Sequence, residues 1–248
     1  MRVERDNYWH STPPPYYFGE FDDDHDHGGE GSHGSSRPNV AREVAETILL
    51  TLLIFFVVRA VVQNFKVEGD SMLPSLHSEQ YLLVNKGLYF RYDANFLERI
   101  SNPQTPPDMR YLFHGPQRGD IVVFEAWDEP RDFIKRVIAV EGEMVEVKKD
   151  QDPVGDPTRD CGECGVYVNG VKLNEPYIRQ RPNYDYPPTL IAPGEIFVLG
   201  DNRRNSSDSH IKGPLPVDRI IGTAFVSYWP QNQWGLLPHP TYAEIEKP

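Results

Sequence analysis

The sequence contains few cysteines, fewer basic than acidic residues, and a single long hydrophobic run. Two cysteines in 248 residues exclude a disulfide-dense scaffold and a four-thiolate zinc site. Lysine and arginine total 25 against 37 acidic residues, a net charge of −12, so the chain lacks the basic surface that nucleic-acid binding requires. A negative mean hydropathy excludes a protein with many membrane spans.

The first 42 residues predict an acidic, unstructured tail. Residues 21–36 contain one apolar residue, which is too few to offset the entropy cost of ordering the chain. Three histidines, His25, His27 and His33, stand among the aspartates of this stretch. Metal binding by these histidines is the alternative interpretation, but the composition favours a solvated acidic tail.

A hydrophobic run follows over residues 47–65, and its first twelve residues carry no charge. Nineteen residues span about 28 Å as a helix, and the apolar side chains cover all of its faces. This pattern predicts a single membrane anchor over residues 43–65. A buried helix of a soluble protein and a cleaved signal peptide are the alternatives. Arg59 lies near one end, where its side chain can reach the membrane interface, but the flanking charges leave the orientation open.

The pattern after residue 66 is that of β-strands, because short runs rich in β-branched and aromatic residues are separated by turn-forming residues. The runs occupy residues 81–84, 121–124, 133–140, 144–148, 165–168, 195–199 and 220–228. Asn169-Gly170 is a strong hairpin signal, and no βαβ alternation is present. We therefore predict a mainly β, antiparallel domain. The predicted segments are the domain over 66–236, loop insertions near 88–118 and 151–164, a long proline-rich loop over 101–119, and a C-terminal tail over 237–248.

Ser71 follows the hydrophobic run directly and lies between Gly69 and Pro74. A turn at this position can expose both a hydroxyl and backbone N–H groups, which nucleophilic catalysis needs. The simpler interpretation is a turn serine satisfied by a backbone hydrogen bond. Its position in the sequence would place any substrate of this serine at the membrane surface.

Lys135 lies in a predicted strand, where alternation puts it on the same face as Phe133 and Val137. Apolar neighbours lower the pKa of a lysine, and a neutral lysine can act as a general base. The alternative is a lysine at the rim of an edge strand.

The third candidate is the polar segment over residues 200–210. It is dense in small hydrogen-bonding groups that suit the orientation of a catalytic amine. A solvated turn or a calcium loop are its alternatives, although calcium would require more than two carboxylates.

Four motifs behind one apolar segment resemble those of type I signal peptidases, which are membrane-bound Ser/Lys endopeptidases that remove signal peptides from exported proteins. The motifs are GDSMLPSL at 69–76, RGDIVVF at 118–124, IKRVI at 134–138, and GDNR at 200–203 followed by Asn205, Ser206, Asp208 and Ser209. The resemblance covers about residues 40–235. It implies a mostly antiparallel β catalytic domain behind one N-terminal transmembrane helix, and it implies neither a metal nor an organic cofactor.

The resemblance also implies a role for particular residues. Ser71 would be the nucleophile and would supply a backbone N–H to the oxyanion hole, and Lys135 would be the general base. Ser206 would orient the lysine amine, with support from Asp201 and Asp208. Pockets for small side chains at positions −1 and −3 of the substrate would involve Phe65, Val67, Met72, Leu76, Phe133 and Ile134. The substrate would dock as an extended strand between the segment before the nucleophile and the lysine strand.

The implied partners are signal peptides of secretory preproteins, the lipid bilayer and a nearby export translocon. The implied location is the plasma membrane, with a single span and the catalytic domain on the extracytoplasmic face. Two other readings remain: a soluble self-cleaving repressor that uses the same dyad, and an anchored module that binds peptides without cutting them. The apolar segment and the acidic N-terminus argue against the repressor.

This chain departs from the family pattern in three places. Gly69 stands where some members carry a serine that contributes to the oxyanion hole. The segment 139–143 lacks the usual proline of a Gly-x-Pro-Gly-Asp turn. His210 replaces a frequent arginine, which predicts a pH-dependent pairing with Asp201. Separately, Cys161 and Cys164 are expected to form a small disulfide in an extracytoplasmic loop, with free thiols as the alternative.

Overall fold

The structure, a computed structural model, describes residues 40–128, 130–149 and 164–240, together with Tyr242 and Ile245. Nearly all of the predicted acidic tail, including its three histidines, lies outside the described residues. The same holds for most of the predicted loop insertion near 151–164, including Cys161. The predictions for these segments stay predictions.

Helix α1 spans Val40–Val61, and none of its 22 residues is buried. By length and composition it can cross a membrane, since 22 residues extend about 33 Å. The prediction placed the end of the anchor at residue 65, but the apolar run changes conformation earlier. Its last residues form strand β1 (Val62–Lys66), which pairs with β2 (Tyr81–Asn85). Hydrogen bonds between these strands replace helical ones because a partner strand is available.

Strands make up most of the remaining described chain. They are β3 (Arg91–Asp93), β4 (Met109–Tyr111), β5 (Ile121–Glu125), β6 (Asp132–Val140), β7 (Met144–Lys149), β8 (Cys164–Val168), β9 (Val171–Lys172), β10 (Tyr186–Leu190), β11 (Glu195–Leu199), β12 (Leu215–Pro216), β13 (Ile220–Trp229) and β14 (Gly235–Leu236). The short helices are α2 (Phe96–Ser101) and α3 (Ser209–Lys212), and 3₁₀ turns occupy Val217–Arg219 and Gln231–Gln233.

The strands form two main sheets and one small ribbon, and their pairs in the described chain are antiparallel. The larger sheet has the order β1-β2-β13-β5-β6-β11-β12, with β14 added to β13. The smaller sheet has the order β10-β7-β8-β9, and β3 pairs with β4. The predicted mainly β, antiparallel fold behind one apolar helix is confirmed.

Strand β5 lies in the middle of the larger sheet and is buried on both faces. Ile121 and Val123 belong to one hydrophobic cluster, whereas Val122 and Phe124 belong to another. Burial on both faces explains why this strand is a continuous apolar run and does not alternate with polar residues. The neighbouring strand β6, which carries Lys135, is therefore hydrogen-bonded along one edge to a strand that is buried on both faces.

The seven strands predicted from apolar runs are present, each with ends within one residue of the predicted bounds. The predicted hairpin between β8 and β9 is also present. Asn169 and Gly170 both have positive φ angles, 52° and 78°, as a type I′ turn requires. Local turn chemistry and hydrophobic patterning therefore predicted these elements correctly.

Two segments expected to be irregular, and one for which no strand was predicted, are ordered parts of the fold. The predicted loop over 101–119 contains β4, because β3 supplies a partner strand. Prolines 187 and 188 obscured β10, which is an edge strand whose register shifts between Tyr186 and Thr189. The predicted C-terminal tail contributes Leu237 and Tyr242 to the core. In each case a tertiary contact outweighs the local signal.

Candidate active site

Ser71 lies in the loop between β1 and β2, which backbone hydrogen bonds hold at its base. The Val67 N–H donates to the Gln80 carbonyl at 2.8 Å, and the Leu76 N–H donates to the Met72 carbonyl at 2.9 Å. The side chains of Met72 and Leu76 are buried in the core beneath the loop. Ser71 therefore lies on a turn whose position is fixed by the burial of Met72 and Leu76 from the same loop.

Lys135 lies on β6 opposite Val122 of β5 and is 4% exposed. Its Nζ donates to the Ser71 Oγ at 2.8 Å and to the Ile134 carbonyl oxygen at 2.9 Å. The serine and the lysine are 64 residues apart in the sequence. The fold thus brings together the two side chains that the sequence analysis selected for nucleophile and base.

Burial sets the charge state of this lysine. Loss of hydration lowers the pKa of Lys135 from its usual value of 10.5 to about 8. The negative charges of Asp208 and Asp201 act in the opposite direction and limit the shift. At pH 7 about one tenth of such a lysine is neutral, and the neutral amine can accept a proton. The electrostatics of the site therefore suit a general base.

The polar segment after β11 packs directly on the serine loop. The Asn202 N–H donates to the Ser71 carbonyl, and its side-chain Nδ2 donates to the Asp70 carbonyl, both at 3.0 Å. A Cβ at Gly200 would collide with the Ser71 carbonyl oxygen and with the Ser206 Oγ, so only glycine fits there. Sequence reasoning missed the two hydrogen bonds of Asn202 because their acceptors are backbone carbonyls, which leave no pattern in the sequence.

Asp201 forms a fully buried ion pair with Arg136. The guanidinium donates from Nε and Nη2 to the two carboxylate oxygens, at 2.9 and 2.7 Å, and from Nη1 to the Gly119 carbonyl at 2.9 Å. The predicted pairing of Asp201 with His210 is therefore wrong. Arg136 follows Lys135 on the strand, so alternation directs its side chain to the opposite face of β6. There it pairs with Asp201, which is therefore not available to His210.

Asp208 holds His210 and the end of β11 together. Its Oδ2 accepts the Gly200 N–H at 2.8 Å, and its Oδ1 lies 2.6 Å from the His210 Nδ1. The imidazole also stacks on the Tyr184 ring at a centroid distance of 3.8 Å. The supporting role of Asp208 stays a prediction, and its side-chain partner in the structure is His210.

Ser206 is placed differently from the expectation. Its Oγ is buried and, within the described part of the chain, has no hydrogen-bond partner. The lysine amine donates to the Ile134 carbonyl and to Ser71 instead. The role of Ser206 in orienting the amine therefore stays a prediction.

A cleft of about 490 Å³ opens beside the serine and the lysine. Of the six residues predicted to contact the substrate, Phe65, Val67, Phe133 and Ile134 line the cleft, whereas Met72 and Leu76 are buried in the core below it. Met72 and Leu76 were selected by their position in a motif. Motif position does not distinguish a residue that lines the cleft from one that is buried behind the lining.

Two strand edges face this cleft. Residues 132–135 of β6 pair with β5 on one side, while the pairing with β11 begins only at Arg136. Strand β1 ends the larger sheet and has β2 as its partner in the described chain. An extended peptide can therefore find backbone donors and acceptors on both walls.

The turn after β6 is held by Gly142 and Glu143, without the proline that the family pattern usually has. Gly142 has a φ of 81°, and the Glu143 carboxylate accepts the Val140 N–H at 2.9 Å and pairs with Arg118.

In β8, the Cys164 side chain is buried. Because Cys161 lies outside the described residues, the disulfide stays a prediction. Within the described residues, no group of three or more His, Cys, Asp or Glu side chains is arranged to hold a metal ion.

A serine hydroxyl beside a buried lysine, at an open cleft in an antiparallel β domain, is the arrangement of a serine endopeptidase. The family model "Signal peptidase, peptidase S26" matches residues 41–229, and the chain belongs to this family. It is 34% identical over 214 residues to a probable signal peptidase I-1 of Synechocystis sp., a match that covers 83% of this chain and 89% of the relative. The resemblance stated from the motifs is thereby confirmed.

Other relatives extend this comparison. The chain is 33% identical over 207 residues to signal peptidase I of Bacillus caldolyticus, which covers 78% of this chain and 91% of that protein. A crystal structure of a signal peptidase I from Enterococcus faecalis is 29% identical, covers 44% of this chain and 97% of that chain, and has a TM-score of 0.33. The chain is a serine endopeptidase, and the part of it that the structure describes contains one candidate transmembrane helix.

Proposed function

We propose that this protein removes signal peptides from exported preproteins after small-x-small sites, with Ser71 as nucleophile and neutral Lys135 as general base. The observation that carries the proposal is the 2.8 Å contact between the lysine Nζ and the serine Oγ. Burial adds to it, because the same lysine has a pKa of about 8.

The catalytic cycle follows from these two groups. Neutral Lys135 takes the hydroxyl proton while the Ser71 Oγ bonds to the scissile carbonyl carbon. The Ser71 N–H stabilises the negative oxygen that forms. The lysine ammonium then gives its proton to the departing amine, and an acyl-enzyme ester remains on Ser71. Lys135 next takes a proton from a water molecule, whose oxygen attacks the ester carbonyl carbon. The bond to the Ser71 Oγ then breaks, this oxygen takes the proton back from the lysine, and the signal peptide leaves with a new carboxyl terminus.

The cleft suits an extended, small-residue substrate. A peptide strand between β1 and residues 132–135 of β6 would place alternate side chains toward the apolar wall. Phe133 and Ile134 line the cleft beside the catalytic lysine, and we propose that they make its substrate pockets shallow. Shallow apolar pockets accept alanine and exclude larger side chains, which supports the preference for Ala-x-Ala.

The anchor supports the proposed location. Ser71 lies ten residues after Val61, the last residue of α1, so the cleft stays close to the membrane surface. We place the catalytic domain on the extracytoplasmic face of the plasma membrane, near the export translocon, because signal-peptide cleavage sites emerge there. In the substrate complex, Ser206 is proposed to orient the lysine amine.

The first test is the position of the cut. The full-length protein in detergent is incubated with a preprotein that carries an Ala-x-Ala site, and the released mature N-terminus is identified by mass. Cleavage directly after the second alanine is expected, and replacing that alanine with leucine is expected to lower the rate by at least about 100-fold. Equal cleavage of the leucine substrate would contradict the proposed pocket.

The pH dependence of kcat/KM tests the base. Because Lys135 must be neutral, the rate is expected to rise about tenfold per pH unit below pH 8 and to level off above it. Asp208→Asn removes a charge that raises this pKa, so the inflection should move to lower pH. Rates measured from pH 6 to pH 10 give both inflections. A rate that still rises about tenfold per pH unit up to pH 10, as expected for a lysine with the usual pKa of 10.5, would rule out a buried base.

A further inference from the structure

The cleft extends beyond the serine and the lysine, along the first residues of β6. Arg131, which directly precedes β6, lines it together with Phe133 and Lys135. The Arg131 guanidinium lies 5.3 Å from the centroid of the Phe133 ring, and the Lys135 Nζ lies 5.2 Å from the same centroid. Phe133 therefore stands between two cationic side chains on one wall of the cleft, and the proposed mechanism uses only the lysine.

The backbone of Arg131 is held in place by the neighbouring strand. Its carbonyl accepts the Ala126 N–H at 3.0 Å, and the next residue, Asp132, pairs with Glu125 of β5. Arg131 itself is exposed. A fixed backbone thus carries a cationic side chain that a peptide in the cleft can reach.

The two walls of the cleft run in the same direction. Four antiparallel pairings separate β1 from β6 in the larger sheet, so these two strands are parallel to each other. From Arg136 onward the edge of β6 is covered by β11. A peptide that pairs with β6 can therefore extend only from Lys135 back toward Asp132. The same direction on β1 leads to Val62, where the membrane helix has just ended.

The part of the peptide in this half of the cleft precedes the scissile bond, because the apolar core of a signal peptide comes from the membrane. From Lys135 to Arg131 is four residues, or about 13 Å in an extended chain. A substrate with residue −1 beside Lys135 therefore has residue −5 beside Arg131. Side chains at −1, −3 and −5 point the same way, so residue −5 follows the two small residues along the wall and reaches the guanidinium.

We propose that Arg131 selects for an acidic side chain at position −5 of the substrate and against a basic one. The inference rests on the proposed function and extends the recognised sequence beyond the small-x-small residues. An acidic −5 residue forms a partly exposed ion pair with the guanidinium, whereas a lysine is repelled. Because the contact lies far from the scissile bond, it is equally strong before and during the reaction. It therefore changes KM and leaves kcat nearly constant.

Three Ala-x-Ala preproteins that differ only in glutamate, glutamine or lysine at position −5 test this selectivity. With the full-length protein in a neutral detergent at low salt, kcat/KM is expected to be about fivefold higher for the glutamate substrate than for the lysine substrate, with the difference in KM. In about 0.5 M salt the ratio should approach one. Arg131→Glu should invert the ratio, and Arg131→Lys, which keeps the charge, should preserve its direction. Each ratio is taken within one variant, so a general loss of activity cancels.

The matched control is Asp132→Asn, which alters the adjacent residue of the same hairpin and removes a charge of the opposite sign. Its ratio should equal or exceed that of the parent. A ratio that falls as far as in Arg131→Glu would assign the effect to disturbance of the hairpin and overturn the proposal. Equal cleavage of the glutamate and lysine substrates by the parent would overturn it as well, and would leave the proposed function intact. A parent that cuts none of the three substrates would instead contradict the proposed function itself.

Discussion

Replacement of either Ser71 or Lys135 with alanine is expected to lower kcat/KM for preprotein cleavage by about 10⁴- to 10⁶-fold. The two side chains touch at 2.8 Å and act in the same proton transfer. For this reason the double variant should lose no more activity than the more damaged single variant. Single-turnover cleavage of the Ala-x-Ala preprotein, followed by mass, provides the measurement.

The matched control for the base is Lys148→Ala. Lys148 is also a partly buried strand lysine, paired with Glu146 at 2.6 Å, but it lies on β7 in the smaller sheet. Its replacement should leave the rate close to that of the parent. Substantial activity in Lys135→Ala, with an unchanged melting temperature, would assign the proton transfer to another group and direct attention to the histidines.

Asp201→Ala is expected to be the most damaging change outside the serine and the lysine. It would leave the Arg136 guanidinium buried and without its carboxylate, which costs about 3–5 kcal/mol. For a domain of this size, that loss lowers the melting temperature by about 6–20 °C. Because Arg136 adjoins Lys135 on β6, the activity of the variant should also be reduced at temperatures at which it is still folded. Thermal melting and cleavage rates of the full-length variant in detergent test both expectations.

Two comparisons separate the ion pair from a general effect of mutation. Asp128→Ala breaks the exposed contact with Lys212 and should leave the melting temperature nearly unchanged. The double variant Arg136→Leu/Asp201→Leu removes both charges, so it should be less destabilised than Asp201→Ala alone. A double variant as unstable as the sum of its single variants would show that the two side chains act independently.

The sequence supported the prediction of the catalytic residues better than that of their surroundings. Ser71 and Lys135 stand in short motifs whose residue types suit the chemistry, and the resemblance of four such motifs to one family selected them. Arg136 was placed on the opposite face of β6 from Lys135, but nothing in the sequence identified Asp201 as its partner. His210 was assigned to the wrong aspartate because the family position pairs with Asp201, whereas in the structure His210 lies against Asp208.

The sequence by itself determined the mainly β architecture, the apolar helix and the Asn169-Gly170 hairpin, and its motifs, through their family resemblance, singled out the serine and the lysine. These features depend on local conformational preference, on the period of hydrophobic residues and on residue chemistry. Only the tertiary structure decided that the last part of the apolar run forms a strand from Val62 onward and that β10 forms despite two prolines. It also decided that Met72 is buried and does not line the cleft. Those outcomes depend on which segments become neighbours in space, because hydrogen bonds and burial with distant partners outweigh the local preferences of the chain.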